Sequence, residues 1–88
     1  MGEVVALFRL MPHGVETDMN ALAVGVKSAV PDGVTIRGMQ IKEIAYGLKA
    51  LLVAAAMPDA GGVLDRMEEA LAKVPGVESV EVMEESLV

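Results

Sequence analysis

One segment that is apolar at nearly every position limits the folds open to this chain. Between Gly47 and Met57 the only charged residue is Lys49. Aliphatic side chains therefore lie on both faces of the segment, as expected of a strand at the centre of a sheet. Its alanines would also suit a helix, but Pro58 and then Gly61 stop the segment early. We predict a central strand, and hence a fold built around a β-sheet.

Two other segments have the alternating pattern of a strand with one buried face. The first strand is predicted from Val4 to Met11 and ends at Pro12. Its two faces carry Val4, Ala6, Phe8 and Leu10 on one side and Val5, Leu7, Arg9 and Met11 on the other. In the last strand we expect Val80 and Val82 to point inward, with the strand ending among Glu84 and Glu85.

A further strand begins near Val34, and its alternation slips at Gly38. Ile36, Met39 and Ile41 cannot all share one face if the pairing is regular. An extra residue in this strand would restore the pattern, so we predict a β-bulge.

Two segments have the spacing of amphipathic helices. The first follows a cap at Thr17 or Asp18 and stops at Pro31, and the second stops at Pro75-Gly76. The apolar stripes are Met19, Leu22, Ala23, Val26 and Val30 in the first helix, and Val63, Leu64, Met67, Leu71 and Val74 in the second.

The resulting order of elements is strand, helix, strand, strand, helix, strand. This order predicts an α+β, ferredoxin-like βαββαβ sandwich, in which two helices cover one face of a four-stranded antiparallel sheet. The 88 residues suit one domain, residues 1–88. A partner protein or a second copy could cover the other face, or its aliphatic residues could be ordinary surface residues; they are Val5, Leu7, Leu48, Ala50 and Leu52.

The composition argues against several kinds of function. Seven Lys and Arg against 13 Asp and Glu leave a net charge of −6, which repels nucleic acids and favours a basic partner surface. The chain has no cysteine and its only histidine is His13, so we expect neither disulfides nor a zinc site of the usual kinds. Because neither a membrane-length apolar run nor a signal-peptide pattern is present, we expect a cytoplasmic protein.

Few side chains could carry catalysis. Gly61-Gly62 has no following Lys-Ser or Lys-Thr, so it does not form a phosphate-binding loop. The adjacent carboxylates Glu68-Glu69 and Glu84-Glu85 point apart on a helix or a strand. His13, between a proline and a glycine, is a solvated turn residue. We therefore predict no catalytic residue, no cofactor and no metal site.

Tyr46 is the most informative single residue. Phe8 is the only other aromatic residue, and Tyr46 stands beside Gly47 where two strands should meet. An aromatic side chain at such a corner is a candidate anchor for a partner protein. The alternative is that its ring packs on a sheet edge while its hydroxyl contacts water.

The chain resembles the guanine-nucleotide exchange domain family of translation elongation factor 1-beta, in its short archaeal form. The likeness extends over the whole sequence. It is carried by Met1-Gly2-Glu3-Val4-Val5-Ala6, by Met11-Pro12, by Ile44-Ala45-Tyr46-Gly47-Leu48-Lys49-Ala50-Leu51 and by Val77-Glu78-Ser79-Val80-Glu81-Val82.

The resemblance implies a ferredoxin-like exchange factor that binds the GTPase elongation factor 1-alpha and expels its GDP so that GTP can load. It also implies a protein that needs no cofactor, is monomeric when free and contacts the GTPase through Ile44, Ala45, Tyr46, Gly47 and Lys49. The competing interpretation of the fold is a regulatory module that binds a small ligand or a twin subunit.

The sequence departs from the family at its C-terminus. Eukaryotic relatives carry a lysine there that enters the magnesium site of the GTPase, whereas this chain ends Met83-Glu84-Glu85-Ser86-Leu87-Val88. We expect this tail to supply neither a cation nor a fixed strand end. Either Lys49 or a carboxylate that competes for the ion could take over the role of that lysine.

Overall fold

The computed structural model describes residues 2–87, which form four strands and two helices. In chain order these are β1 (Glu3–Pro12), α1 (Met19–Ala29), β2 (Thr35–Ala45), β3 (Leu48–Pro58), α2 (Val63–Ala72) and β4 (Val77–Leu87). One antiparallel sheet has the strand order β2-β3-β1-β4. The predicted α+β, ferredoxin-like fold is confirmed, and so is the central position of the apolar strand β3.

The hydrophobic core lies between one face of the sheet and the two helices. The predicted alternation of β1 is confirmed, and Phe8 at its centre is completely buried. Burial of such a side chain contributes about 1.5–3 kcal/mol relative to leaving it exposed. The strands contribute Val4, Ala6, Phe8, Leu10, Leu51, Val53, Ala55, Met57 and Val77, and the helices contribute Met19, Leu22, Val26, Val63, Met67 and Leu71.

Both helices end slightly earlier than the apolar stripes indicate. Asp18 caps α1, and its carboxylate accepts hydrogen bonds from the amides of Asn20 at 3.0 Å and Ala21 at 3.2 Å. Val30 has extended backbone, as expected of a residue before a proline. Val74 follows the end of α2 and still packs on the core. Apolar packing thus continues beyond the last helical hydrogen bonds.

The predicted bulge in β2 is confirmed. The pairing of β2 with β3 shifts between Ile36 and Gly38, which makes Arg37 the extra residue. As a result, Ile36 and Met39 both pack against the core. A second shift falls between Glu43 and Ala45, close to the end of the strand.

The prediction that the last strand ends among Glu84 and Glu85 is wrong. β4 continues to Leu87, and the tail pairs with β1 through Ser86 opposite Val5 and Leu87 opposite Val4. Backbone pairing with β1 does not depend on the charge of the side chains, and glutamates are ordinary on an edge strand. The tail is therefore a fixed strand end within the described residues, contrary to expectation.

Within residues 2–87, no helix covers the second face of the sheet. Val5, Leu7, Leu48 and Leu52 are half-buried there. Ala50, which we expected on an open face, is completely buried. Its single methyl group lies on a central strand, where longer side chains such as that of Lys42 directly opposite can cover it. On the same face Arg9 forms an ion pair with Glu81.

Candidate functional site

Tyr46 and Gly47 form the turn between β2 and β3. Ala45 pairs with Leu48, so the two strands are joined by a two-residue turn. The φ angles of Tyr46 and Gly47 are 49° and 83°, the positive values at both positions that a type I′ turn requires. The predicted meeting of two strands at this corner is confirmed.

Tyr46 is the only non-glycine residue with positive φ within residues 2–87. A tyrosine in this conformation costs about 1 kcal/mol or more relative to glycine. Its side chain does not recover that cost by packing, because Tyr46 is fully exposed. The alternative in which the ring packs on a sheet edge is therefore wrong. Backbone strain and an exposed aromatic side chain at one position are typical of a residue kept for contact with another molecule.

The turn has a local hydrogen bond of its own. The amide of Gly47 donates to Oε2 of Glu43 at 3.1 Å. The register shift between Glu43 and Ala45 lies in the same stretch and gives Ile44 the position of the extra residue. Ile44 is 44% exposed, so two large apolar side chains, those of Ile44 and Tyr46, are exposed at this end of the sheet.

Lys49 lies two residues beyond the turn, opposite Glu43 in the ladder between β2 and β3. Its side chain is exposed, and within residues 2–87 no carboxylate forms an ion pair with it. Together with Ile41 it lines a cleft of about 270 Å³ whose other wall is the loop between β1 and α1.

The five residues predicted to bind a partner therefore lie at one end of the β2–β3 hairpin. Ile44 and Ala45 end β2, Tyr46 and Gly47 form the turn, and Lys49 lies near the start of β3. We refer to these residues as the hairpin surface. Whether the hairpin surface binds a partner stays a prediction.

Two other positions considered from the sequence, His13 and Gly62, lie in a loop and at a helix end. His13 is exposed in the loop after β1, and its Nδ1 lies 3.4 Å from Oε1 of Glu78. Gly62 has a φ of 85° and forms the N-terminal cap of α2 without a side-chain hydrogen bond. Within residues 2–87, no group of three or more His, Asp or Glu side chains has the geometry to hold a metal ion.

Two features of this end were not predicted from the sequence. The first is the role of Glu43, although a carboxylate shortly before a tight turn is a recognisable local pattern. The second is the cleft between Val15 and Ile41. These residues are far apart in the sequence, and only the pairing of the strands brings them together.

Comparison with known proteins gives a consistent result. The family described as the EF-1 guanine nucleotide exchange domain matches residues 5–88. An elongation factor 1-beta of Methanococcoides burtonii is 45% identical over 84 residues, which cover 96% of this chain and 94% of that protein. An elongation factor 1-beta of Methanoregula boonei is 44% identical, with 99% of each chain covered.

Among solved structures, the C-terminal domain of the MgtC protein from Mycobacterium tuberculosis has a similar fold. It matches with a TM-score of 0.54 and 20% identity, and the match covers all of this chain and 88% of that one. At this identity the likeness concerns the fold alone. No helix within residues 2–87 has the length and hydropathy to cross a lipid bilayer.

Proposed function

This chain belongs to the EF-1 guanine nucleotide exchange domain family, and we propose that it promotes GDP release and GTP loading on translation elongation factor 1-alpha during protein synthesis. The target follows from the names of the relatives, which are elongation factors 1-beta. The function requires neither a nucleophile nor a cofactor in this chain. Such a protein acts by binding rather than by bond chemistry.

An exchange factor works through coupled binding. It binds the nucleotide-free GTPase more tightly than the GDP-bound form, and so it shifts the GTPase toward the nucleotide-free state. Linkage makes the effect reciprocal. If the exchange protein weakens the binding of GDP to the GTPase by a certain ratio, GDP weakens the binding of the exchange protein to the GTPase by the same ratio. Couplings of about 1–3 kcal/mol, or roughly 5–150-fold, are typical. The residues that matter are therefore those that contact the GTPase.

The fully exposed Tyr46 on a strained two-residue turn is the observation that carries this proposal. Aromatic residues that enter a partner's pocket contribute much of the binding energy of many interfaces, and their truncation often costs about 2 kcal/mol or more. The turn is short and tied to Glu43, so little conformational freedom is left to lose on binding. We therefore assign the hairpin surface as the contact with the GTPase.

Charge supports the same partner in two ways. The net charge of −6 draws the protein toward a basic surface and speeds encounter at low salt. Lys49, exposed beside the turn, can in addition pair with a carboxylate of the GTPase. The first effect governs the rate of association, and the second governs orientation.

Release of labelled GDP from elongation factor 1-alpha of the same organism tests the proposal. GDP release, measured with excess unlabelled nucleotide, should accelerate in proportion to the amount of this protein added. An unrelated GTPase serves as the control and should release GDP at an unchanged rate. Unchanged release from elongation factor 1-alpha would contradict the proposal.

Sedimentation of the isolated protein separates the proposal from the regulatory alternative. We propose a monomer, which sediments as one 9.2 kDa chain until the GTPase is added. A module that binds a small ligand in this fold usually needs a twin subunit. A stable dimer that does not accelerate GDP release would favour that alternative.

A further inference from the structure

The loop between β1 and α1 resembles the hairpin surface in one respect: it also exposes a large apolar side chain on a tied turn. Val15 lies in the turn from Gly14 to Thr17 and is 63% exposed. The amide of Thr17 donates to the carbonyl of Gly14 at 3.3 Å, and the amide of Gly14 donates to Oγ1 of Thr17 at 3.4 Å. The amide of His13 is bonded to the carbonyl of Gly76 at 3.2 Å, which joins the loop to the start of β4.

The turn that carries Val15 and the hairpin that carries Tyr46 border one concave surface. Val15 and Lys49 both line the cleft of about 270 Å³, with Ile41 between the two walls. Val15, Ile41, Ile44 and Tyr46 are four of the seven large apolar residues that are exposed within residues 2–87. The other three, Val24, Met83 and Leu87, lie on the outside of α1 and on β4. Exposed apolar side chains are thus concentrated at this end.

Lys49 is the cationic side chain that lines the cleft. Oδ1 of Asp18 accepts hydrogen bonds from the amides of Asn20 and Ala21 at the start of α1. The hydroxyl of Thr17 lies within hydrogen-bond distance of the Gly14 amide. Since Lys49 has no ion-pair partner within residues 2–87, a carboxylate beside an apolar side chain complements the part of the cleft between Lys49 and Val15.

We propose that Val15 is a second anchor for the same GTPase, which it contacts across the cleft while Tyr46 holds the other side. The occupant of the cleft is a loop of the GTPase that places an apolar side chain between Val15 and Ile41 and a carboxylate on Lys49. This inference rests on the proposed function. It extends the contact from one hairpin to two turns, which fixes the orientation of the exchange factor as well as its affinity.

The test compares Val15→Ser with Val24→Ser. The two valines are equally exposed, at 63% each, but Val24 lies on α1 outside the cleft. Affinity for nucleotide-free elongation factor 1-alpha is measured by calorimetry, together with the melting temperature of each variant alone. We expect Val15→Ser to weaken binding about fivefold to tenfold, the range of a moderate interface contact. Val24→Ser should bind within about twofold of the unmodified protein, because an exposed residue outside an interface contributes little.

A second variant separates contact from folding. Val15→Thr keeps the shape of the side chain and replaces one methyl group with a hydroxyl, so the turn is retained. We expect it to weaken binding about threefold, the effect of losing one buried methyl group. If Val15→Thr binds like the unmodified protein, or if Val15→Ser binds like Val24→Ser, the second anchor is overturned.

The outcomes also distinguish this inference from the proposed function. If the unmodified protein neither binds elongation factor 1-alpha nor releases its GDP, both fall. If GDP release is normal and is lost in Tyr46→Ala while both Val15 variants remain fully active, only the second anchor falls. Weaker binding by both Val15 variants at unchanged melting temperature supports the inference.

Discussion

The amide of Gly47 donates a hydrogen bond to Oε2 of Glu43 at 3.1 Å, so a side chain of β2 closes the turn that presents Tyr46. The turn has positive φ at both of its residues, and the register shift next to Glu43 lengthens the end of β2 by one residue. The carboxylate satisfies an amide at the end of this irregular stretch. The position of Tyr46 therefore depends in part on a residue that is not itself predicted to touch a partner.

Loss of this hydrogen bond should slow exchange only slightly. We predict that Glu43→Ala slows GDP release by about twofold to threefold, because an exposed hydrogen bond contributes only about 0.5 kcal/mol. The amide of Gly47 should exchange faster with solvent in this variant. Glu43→Gln keeps an acceptor oxygen and should retain most of the activity. Equal activity of Glu43→Ala and the unmodified protein, with faster amide exchange, would mean that the shape of the turn does not matter for function.

Truncation of Tyr46 should separate binding from folding. We predict that Tyr46→Ala slows GDP release by about 30-fold, the effect of losing ~2 kcal/mol of contact. The melting temperature should change by only about 2 to 4 °C, because an exposed side chain contributes about 0.5 kcal/mol to the monomer. Tyr46→Phe retains the ring and serves as the control. If Tyr46→Ala unfolds and its remaining folded fraction is fully active, Tyr46 serves the fold instead.

The isolated protein should bind neither GDP nor magnesium. The sequence has no phosphate-binding loop, and within residues 2–87 no cluster of carboxylates and histidines could hold a metal. Calorimetry with GDP and with magnesium chloride should therefore give no heat of binding beyond dilution. The GTPase, titrated under the same conditions, provides the positive control. Micromolar binding of either ligand to this chain would reopen an enzymatic interpretation.

Gly25 in α1 should not tolerate alanine, although alanine favours helices. A Cβ atom on Gly25 would lie 2.8 Å from Cγ1 of Val74, which is buried where the chain leaves α2. The gain in helix propensity is about 1 kcal/mol, whereas overpacking typically costs about 1–3 kcal/mol. The backbone of Val74 cannot easily move aside, because its amide donates to Leu71 and its carbonyl accepts from Val77.

The prediction for Gly25 is best checked by a double-mutant cycle. Denaturant unfolding should show that Gly25→Ala is less stable than the unmodified protein. In the background of Val74→Ala, the same change should stabilise the protein, since the overlap is gone and the helical preference of alanine remains. A stabilising effect in both backgrounds would show that the two helices separate at little cost.

Much of the fold could be predicted from local patterns. The alternation of β1 and the slip at Gly38 correspond to burial and to a bulge in the structure, because each is a local consequence of a sheet with one covered face. The extent of β4 could not be predicted this way. The glutamates of β4 interrupt the alternation of apolar residues that would indicate a strand. The pairing of Leu87 with Val4 joins the two ends of the described chain, and a local sequence pattern does not reveal such a contact.

The candidate site was predictable only in part. Tyr46 and Gly47 are neighbours in the sequence, and a glycine after an aromatic residue at a strand boundary is a local turn pattern. The cleft between Val15 and Lys49 depends on contacts between a loop and a hairpin far along the chain. Local sequence patterns do not reveal contacts of this kind. The side of the cleft that the loop around Val15 forms was therefore found only in the structure.

The final prediction compares Lys49 with the C-terminal tail, and the structure separates the expected effects. Lys49→Ala should slow GDP release up to about fivefold without lowering the melting temperature, because a partly exposed ion pair contributes about 0.2–1 kcal/mol. Deletion of residues 86 to 88 removes the pairing of β4 with Val4 and Val5, so it should lower the melting temperature. The folded fraction of the deletion variant should keep an exchange activity close to normal. We therefore expect Lys49→Ala to lose more exchange activity than the deletion variant.

Both variants are measured at the same salt concentration, well below either melting temperature, and normalised to the folded fraction. Lys42→Ala is the matched control, since Lys42 is also an exposed lysine of this hairpin but does not line the cleft. It should release GDP at the unmodified rate, because its pairing opposite Ala50 places it on the other face of the sheet from Lys49. If Lys49→Ala is fully active and the deletion variant no longer accelerates GDP release, the C-terminal strand would be the part that drives exchange, and it would do so without a lysine.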